Sequence, residues 1–229
     1  MKHIVVLTGA GMSAESGIST FRDSGGLWEQ YRVEDVATPE GFAKNPDMVL
    51  KFYNQRRKDA FMAKPNNGHI VLAKMEEDYK ITVITQNVDD LHERAGSTNV
   101  IHLHGELMKV RSVKNPNLIY ELNGDRLEIN IGDKAEDGGQ LRPHIVWFGE
   151  AVPMIEEAIN IVETADILVI IGTSLNVYPA ASLINFVRRG VPIYLIDPNL
   201  VNTMRPDIHF IRKGASEGVL ELRSLLSRS

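Results

Sequence analysis

Apolar positions fall in short, mostly β-branched runs: Ile4–Leu7, Ile81–Thr85, Val100–Leu103, Ile145–Phe148, Ile167–Ile171, Ile193–Ile196 and Ile208–Ile211. Runs without polar alternation read as strands buried on both faces. Helical patterns lie between several of them. Met154–Ala165 puts Ile155, Ala158, Ile159 and Val162 on one face. Pro179–Gly190 has Pro at its start, two arginines in its last turn and Gly beyond, which predicts a helix. Alternation of this kind predicts an α/β fold, a Rossmann-like doubly wound parallel sheet.

Two stretches depart from that pattern. Residues 27–64 read as helical, with Pro39 and Pro46 as start signals and Phe42, Met48, Val49, Phe52, Phe61 and Met62 as apolar complement. Residues 106–142 read as irregular β-structure, in which Asn123-Gly124 predicts a hairpin packed by Leu118, Tyr120, Leu122, Leu127, Ile129 and Ile131. The expected organisation is a dinucleotide-binding domain from residues 1–26, 65–105 and 143–229, with 27–64 and 106–142 forming a smaller inserted module.

Charge and composition then narrow the chemistry. A net charge of −5 over 229 residues gives no global basic field, so no nucleic-acid or membrane partner is expected. The longest uninterrupted apolar runs are far short of the roughly 20 residues that span a bilayer, and the first strand reaches its turn too early for a signal-peptide core. A cytoplasmic location follows as the expectation, with the oligomeric state open and a monomer the simplest case. Cysteine is absent, which removes disulfides, thiol nucleophiles and thiolate metal sites.

The first strand runs into Gly9-Ala10-Gly11-Met12-Ser13-Ala14, a G-x-G-x-x-A turn that lets backbone approach a pyrophosphate. The acidic ribose-binding residue usual in dehydrogenases is missing; Arg22-Asp23-Ser24-Gly25 stands there instead. Thr85-Gln86-Asn87-Val88-Asp89 follows another strand and offers donors and acceptors for a ribose and a carboxamide; Asp90 and His92 read as surface or capping residues. His102-Leu103-His104-Gly105 ends a third strand, leaving open a metal pair or, at His104, a general base.

Together with Gly17–Arg22, Pro143–Glu150 and Gly172–Ser174, these motifs closely resemble in order those of the sirtuins, NAD-dependent protein lysine deacylases. The resemblance covers almost the whole chain. It implies that Gly9, Ala10, Gly11, Ser13, Ala14, Phe21 and Arg22 cradle NAD, that Gln86, Asn87 and Asp89 serve its nicotinamide half, and that Gly172, Thr173, Ser174, Asp197, Pro198, Asn199 and Ala215 line its adenosine half. It implies His104, Asn87 and Asp89 as catalytic residues, His104 acting as base on the ribose hydroxyls. The products would be nicotinamide, free lysine and O-acyl-ADP-ribose.

Tyr53 and Arg56 lie three apart in a predicted helix, so phenol and guanidinium can converge on one anion. This resembles the Tyr-x-x-Arg signature of sirtuins that remove succinyl or malonyl groups, with Ala37 as the small residue widening the acyl pocket. Removal of such groups, as well as or in preference to acetyl, is the resulting expectation. Val146, Trp147, Phe148 and Gly149, with Asn176, Val177 and Tyr178, resemble the segments that hold an acyl-lysine peptide as an added strand. No zinc is expected, because Ser112 stands where the family tends to have its first zinc cysteine, and the Asn123-Gly124 hairpin is the expected substitute. Rival readings are a dehydrogenase, a metal-dependent hydrolase and a non-catalytic NAD or ADP-ribose sensor.

Overall fold

The computed structural model describes residues 1–18, 31–201 and 205–227. Six strands form one parallel sheet: β1 (His3–Thr8), β2 (Lys80–Thr85), β3 (Val100–His102), β7 (Ile167–Ile171), β8 (Ile193–Ile196) and β9 (Ile208–Ile211). Their order is β3-β2-β1-β7-β8-β9, so the winding direction reverses between β1 and β7. In such sheets a crevice opens at the carboxyl ends of the strands on either side of the reversal.

Both faces are apolar. One packs Ile4, Val6, Val83 and Val169 against Val71 and Leu72 of α5 (Asn67–Lys74) and Val219 and Leu222 of α8 (Ala215–Leu226). The other packs Val5, Leu7, Leu168 and Ile170 against Ala158 and Val162 of α7 (Ile155–Glu163). The segment that reads as a helix over Pro179–Gly190 is a 3-10 helix over Ala180–Phe186 only; the Ser182 hydroxyl and N–H both donate to the Pro179 carbonyl, favouring the tighter turn. No helix among the described residues is long and apolar enough to cross a membrane.

A smaller module carries α2 (Val33–Val36), α3 (Pro39–Lys44), α4 (Pro46–Met62) and an antiparallel sheet of β4 (Gly105–Ser112), β5 (Ile119–Glu121) and β6 (Leu141–Ile145). Pro39 and Pro46 open α3 and α4 as expected, each behind a cap: Thr38 Oγ1 accepts from Gly41 N–H at 3.0 Å and Asn45 Oδ1 from Met48 N–H at 3.2 Å. Phe61 and Met62 are exposed instead of packed, because the last turn of α4 projects beyond the cluster around Phe52 and Tyr53.

The Asn123-Gly124 hairpin does not form. Asn123 does make a turn, its carbonyl accepting from Arg126 N–H at 3.0 Å, but β5 pairs with β4 and residues 127–131 are not a strand. Backbone bonds to α4 claim that second run instead. Asn54 donates to the Ile129 carbonyl at 2.9 Å and accepts from its N–H at 3.1 Å, which seats Ile129 beside Leu50 and Val110 while Ile131 stays exposed. The strand expected over Ile145–Phe148 likewise lies earlier, as β6.

A buried guanidinium completes the clasp. Arg57 donates to the Leu107 carbonyl at 2.6 Å, to the Leu127 carbonyl at 2.7 Å and to Asn54 Oδ1 at 2.9 Å, joining α4 to both β4 and the 127–131 run. Burial pulls its pKa down to about 10, so it stays charged at neutral pH. At the far end of β4, Ser112 donates to the Asp137 carboxylate at 2.8 Å and Gly139 N–H caps the same carboxylate at 2.8 Å. Replacing Arg57 by Met takes this donor from the Leu107 and Leu127 carbonyls and leaves the Asn54 amide oxygen with the Ile129 N–H alone, and is expected to destabilise the protein by about 2–4 kcal/mol. Chemical denaturation checks this; a loss below about 0.5 kcal/mol would show the clasp to be dispensable.

Candidate active site at the sheet reversal

Beyond β1, Gly9 opens α1 (Ala10–Ala14), and beyond β7 lies Gly172. The two turns touch back to back: Gly9 N–H donates to the Ile171 carbonyl at 3.0 Å and Gly11 N–H to the Gly172 carbonyl at 2.9 Å. Gly172 has φ +60°, and a Cβ there would come within 2.4 Å of the Gly11 carbonyl carbon and Met12 nitrogen; one on Gly11 would meet Gly172 Cα at 2.7 Å. Only glycine fits this crossing, and the exclusion of side chains leaves bare backbone of the kind a dinucleotide phosphate needs.

The end of β2 supplies a directed hydrogen-bond chain. Asn87 N–H donates to Thr85 Oγ1 at 3.0 Å and its amide Nδ2 to Ser13 Oγ at 3.1 Å, while the Ser13 hydroxyl bonds to Asp89. Thr8 and Thr85 face each other in register, and Thr8 donates to Thr85 at 2.8 Å. With that proton committed, Thr8 accepts from His92 Nε2–H at 3.1 Å. His92, on the short α6 (Leu91–Arg94), is thus buried support for Asn87, not a surface cap, and burial keeps it neutral. Burial also pushes the Asp89 carboxyl up, opposed by the Leu91 N–H and the Ser13 hydroxyl.

His104 is oriented by one carbonyl. Its Nδ1 lies 3.2 Å from the Gln86 carbonyl oxygen, which only accepts, so the proton sits on Nδ1 and Nε2 keeps a lone pair. Burial lowers its pKa, with the Gln86 bond opposing. His102 plays a different part. Its Nδ1 meets the Asn87 carbonyl at 3.0 Å and its Nε2 meets Glu93 at 2.7 Å. Burial acts to lower its pKa, but the Glu93 bond and charge win and raise it. Both of its nitrogens are engaged, and no cluster of three metal-ligating side chains occurs among the described residues. Gly105, at φ +81°, passes so close to β6 that a Cβ would lie 2.0 Å from the His144 carbonyl oxygen.

Further along the crevice, Gln86 donates to Thr173 Oγ1 at 3.2 Å, tying β2 to the loop that carries Ser174. Asp197 and Asn199 form a turn beyond β8 in which Asn199 N–H donates to Asp197 Oδ1 at 2.8 Å, with Pro198 exposed between them. Ala215 is buried at the start of α8. Phe21 and Arg22 lie outside the described residues.

Beside the crevice, Ala37, Tyr53 and Trp147 join one apolar cluster. The Arg56 guanidinium carbon stands 5.7 Å from the Tyr53 ring centroid; burial lowers the Arg56 pKa, and Tyr53, then Asp89, work against that shift. Val146 N–H donates to the His104 carbonyl at 2.9 Å and Phe148 N–H to the Ala37 carbonyl at 3.0 Å, so this short segment bridges His104 and the cluster. Phe148, Gly149, Asn176, Val177 and Tyr178 are exposed. Of the supports, Thr8 and His92 do not stand out in the sequence; the threonines ending two paired strands are the available signal.

A reversed parallel sheet and a paired glycine crossing are the parts of a dinucleotide-binding site, and an oriented imidazole stands beside them. The sequence model of the Sir2 family matches residues 9–179. An NAD-dependent protein deacylase of Bacteroides thetaiotaomicron is 63% identical over 99% of this chain and 98% of its own length. One from Helicobacter pylori is 54% identical over 97% and 96%. A Sir2 homologue solved with NAD superposes with a TM-score of 0.86 at 43% identity, covering 98% of this chain and 91% of that one. A Sir2 protein solved with a deacetylated p53 peptide and 3′-O-acetyl ADP-ribose gives 0.81 at 32% identity, over 97% and 92%. The chain belongs to the Sir2 family: it is a sirtuin, an NAD-dependent enzyme of the protein deacylase class.

Proposed function

We propose that this sirtuin removes acidic acyl groups, succinyl and malonyl, from protein lysines in preference to acetyl. The observation that carries the reading is the pairing of the Tyr53 phenol with the Arg56 guanidinium in an apolar wall beside the small Ala37. A half-buried cation next to a phenol matches a carboxylate, which takes charge-assisted bonds from both, whereas an acetyl methyl offers neither group an acceptor.

NAD, when bound, supplies the acceptor for the acyl group, its bond to nicotinamide being given up. The Gly9–Gly11 and Gly172 backbone holds the phosphates, Thr173, Ser174, Asp197, Asn199 and Ala215 hold the adenosine half, and Asn87, Asp89 and Gln86 orient the nicotinamide ribose. His104 Nε2 removes a proton from a ribose hydroxyl, and the Gln86 carbonyl steadies the imidazolium through Nδ1–H. The acyl-lysine peptide lies along residues 146–149 and 176–178 as an added strand, its acyl end reaching Tyr53.

Mixing the protein with NAD and a succinyl-lysine peptide is expected to release nicotinamide and deacylated peptide one for one, with no NADH absorbance. Deacylation without NAD, or NADH formation, would refute the reading.

A further inference from the structure

We infer that Trp147 is a specificity-determining positioning residue: its indole N–H holds the Tyr53 oxygen from behind and turns the phenol proton toward the acyl end of the substrate. This rests on the acidic-acyl reading above and adds the element that orients the phenol.

The side chain of Tyr53 is 1% exposed, and its oxygen accepts from Trp147 Nε1–H at 3.0 Å. An indole can only donate. The phenol's other hydrogen-bond partner, Arg56, also only donates. Among the described residues the phenol proton therefore has no acceptor, although an oxygen buried this well normally has its proton taken. A bound carboxylate or acyl oxygen is the missing acceptor. An acid terminus then receives a bond from Tyr53 and one from Arg56, while a methyl terminus leaves the phenol proton unmatched.

The indole is well held for this work. Arg142 stacks on its face with the guanidinium carbon 3.4 Å from the ring centroid, and Phe42 packs on it at 5.2 Å. Arg142 grips Glu150 through two bonds of 2.7 and 3.0 Å, and Glu150 in turn accepts the Trp147 backbone N–H at 2.8 Å. Burial acts to raise the Glu150 pKa, but the bonds from Arg142 and from the Trp147 N–H win and hold it below the usual carboxylate range. The loop that carries Trp147 is thereby pinned at its backbone and at its ring, and the direction of the Nε1–H bond is fixed before substrate arrives.

The test is a double-mutant cycle on kcat/KM for succinyl- and acetyl-lysine peptides, using wild type, Trp147→Phe, Tyr53→Phe and both together. Trp147→Phe keeps an aromatic ring and removes the donor. It is expected to lower the succinyl-to-acetyl ratio about tenfold, mostly through KM for the succinyl peptide. In the Tyr53→Phe background it is expected to change the ratio no further. If Tyr53→Phe lowers the ratio but Trp147→Phe does not, or the two changes multiply, the role of Trp147 is overturned while acidic-acyl recognition stands. If Tyr53→Phe leaves the ratio unchanged, the acidic-acyl reading fails and this inference with it. Should Trp147→Phe not fold, Raman spectra of the indole N–H in wild type and Tyr53→Phe decide. A shift toward a weaker hydrogen bond on losing the phenol supports the inference, and identical spectra overturn it.

Discussion

Replacing His104 by Ala is expected to lower kcat by a factor of about 10²–10⁴ on every acyl-lysine substrate, the range a positioned general base contributes. The direction follows from the tautomer. Nδ1 is committed to the Gln86 carbonyl at 3.2 Å, so the lone pair on Nε2 is the basic position the imidazole presents. The pH profile gives a second check. A base works when neutral, and burial lowers the His104 pKa from its ordinary 6.5. Activity should therefore persist into mild acid and fall only below that value. A His104→Ala protein that folds, as judged by thermal melting, and keeps its rate would remove the imidazole from the mechanism.

The second large effect concerns substrate choice. Changing Tyr53 to Phe and Arg56 to Met together is expected to lower kcat/KM for succinyl-lysine by about 100-fold, because two bonds to a charged group are lost at about 1.5–3 kcal/mol each and are not fully additive. Acetyl-lysine has no carboxylate to lose and should fall far less. Steady-state rates on matched peptides check this, and equal losses on both would sink carboxylate recognition. Arg56 sits on the same helix as the buried Arg57, but the two are not interchangeable. Arg57 is spent on the carbonyls of Leu107 and Leu127 and on Asn54, while Arg56 lies against the Tyr53 ring.

Much of the fold is legible in the sequence because it is local. Each strand of the parallel sheet lies within a residue of its β-branched run, and Pro39 and Pro46 mark helix starts that depend only on the residues beside them. The glycine turn after β1 is readable as well. Its partner at Gly172 is visible as a motif, but not its contact with Gly11, which exists only because β7 lies next to β1. The failures are long-range. Alternation around Asn123-Gly124 suits a hairpin, yet Asn54, 75 residues earlier, claims both backbone groups of Ile129. In the sequence His92 is one more polar residue after a strand; its place under Thr8 depends on two strands being in register. By its motif Trp147 reads as part of a peptide-holding segment; its neighbour Phe148 is exposed, whereas its own ring is buried on Arg142.

The central claim is that this NAD-dependent site is built for an acidic acyl group. It is tested most directly by kcat/KM on acetyl-, malonyl-, succinyl- and glutaryl-lysine versions of one peptide at saturating NAD. The account predicts that malonyl and succinyl exceed acetyl, with nicotinamide released for every lysine freed. Acetyl exceeding every acidic acyl group would contradict it.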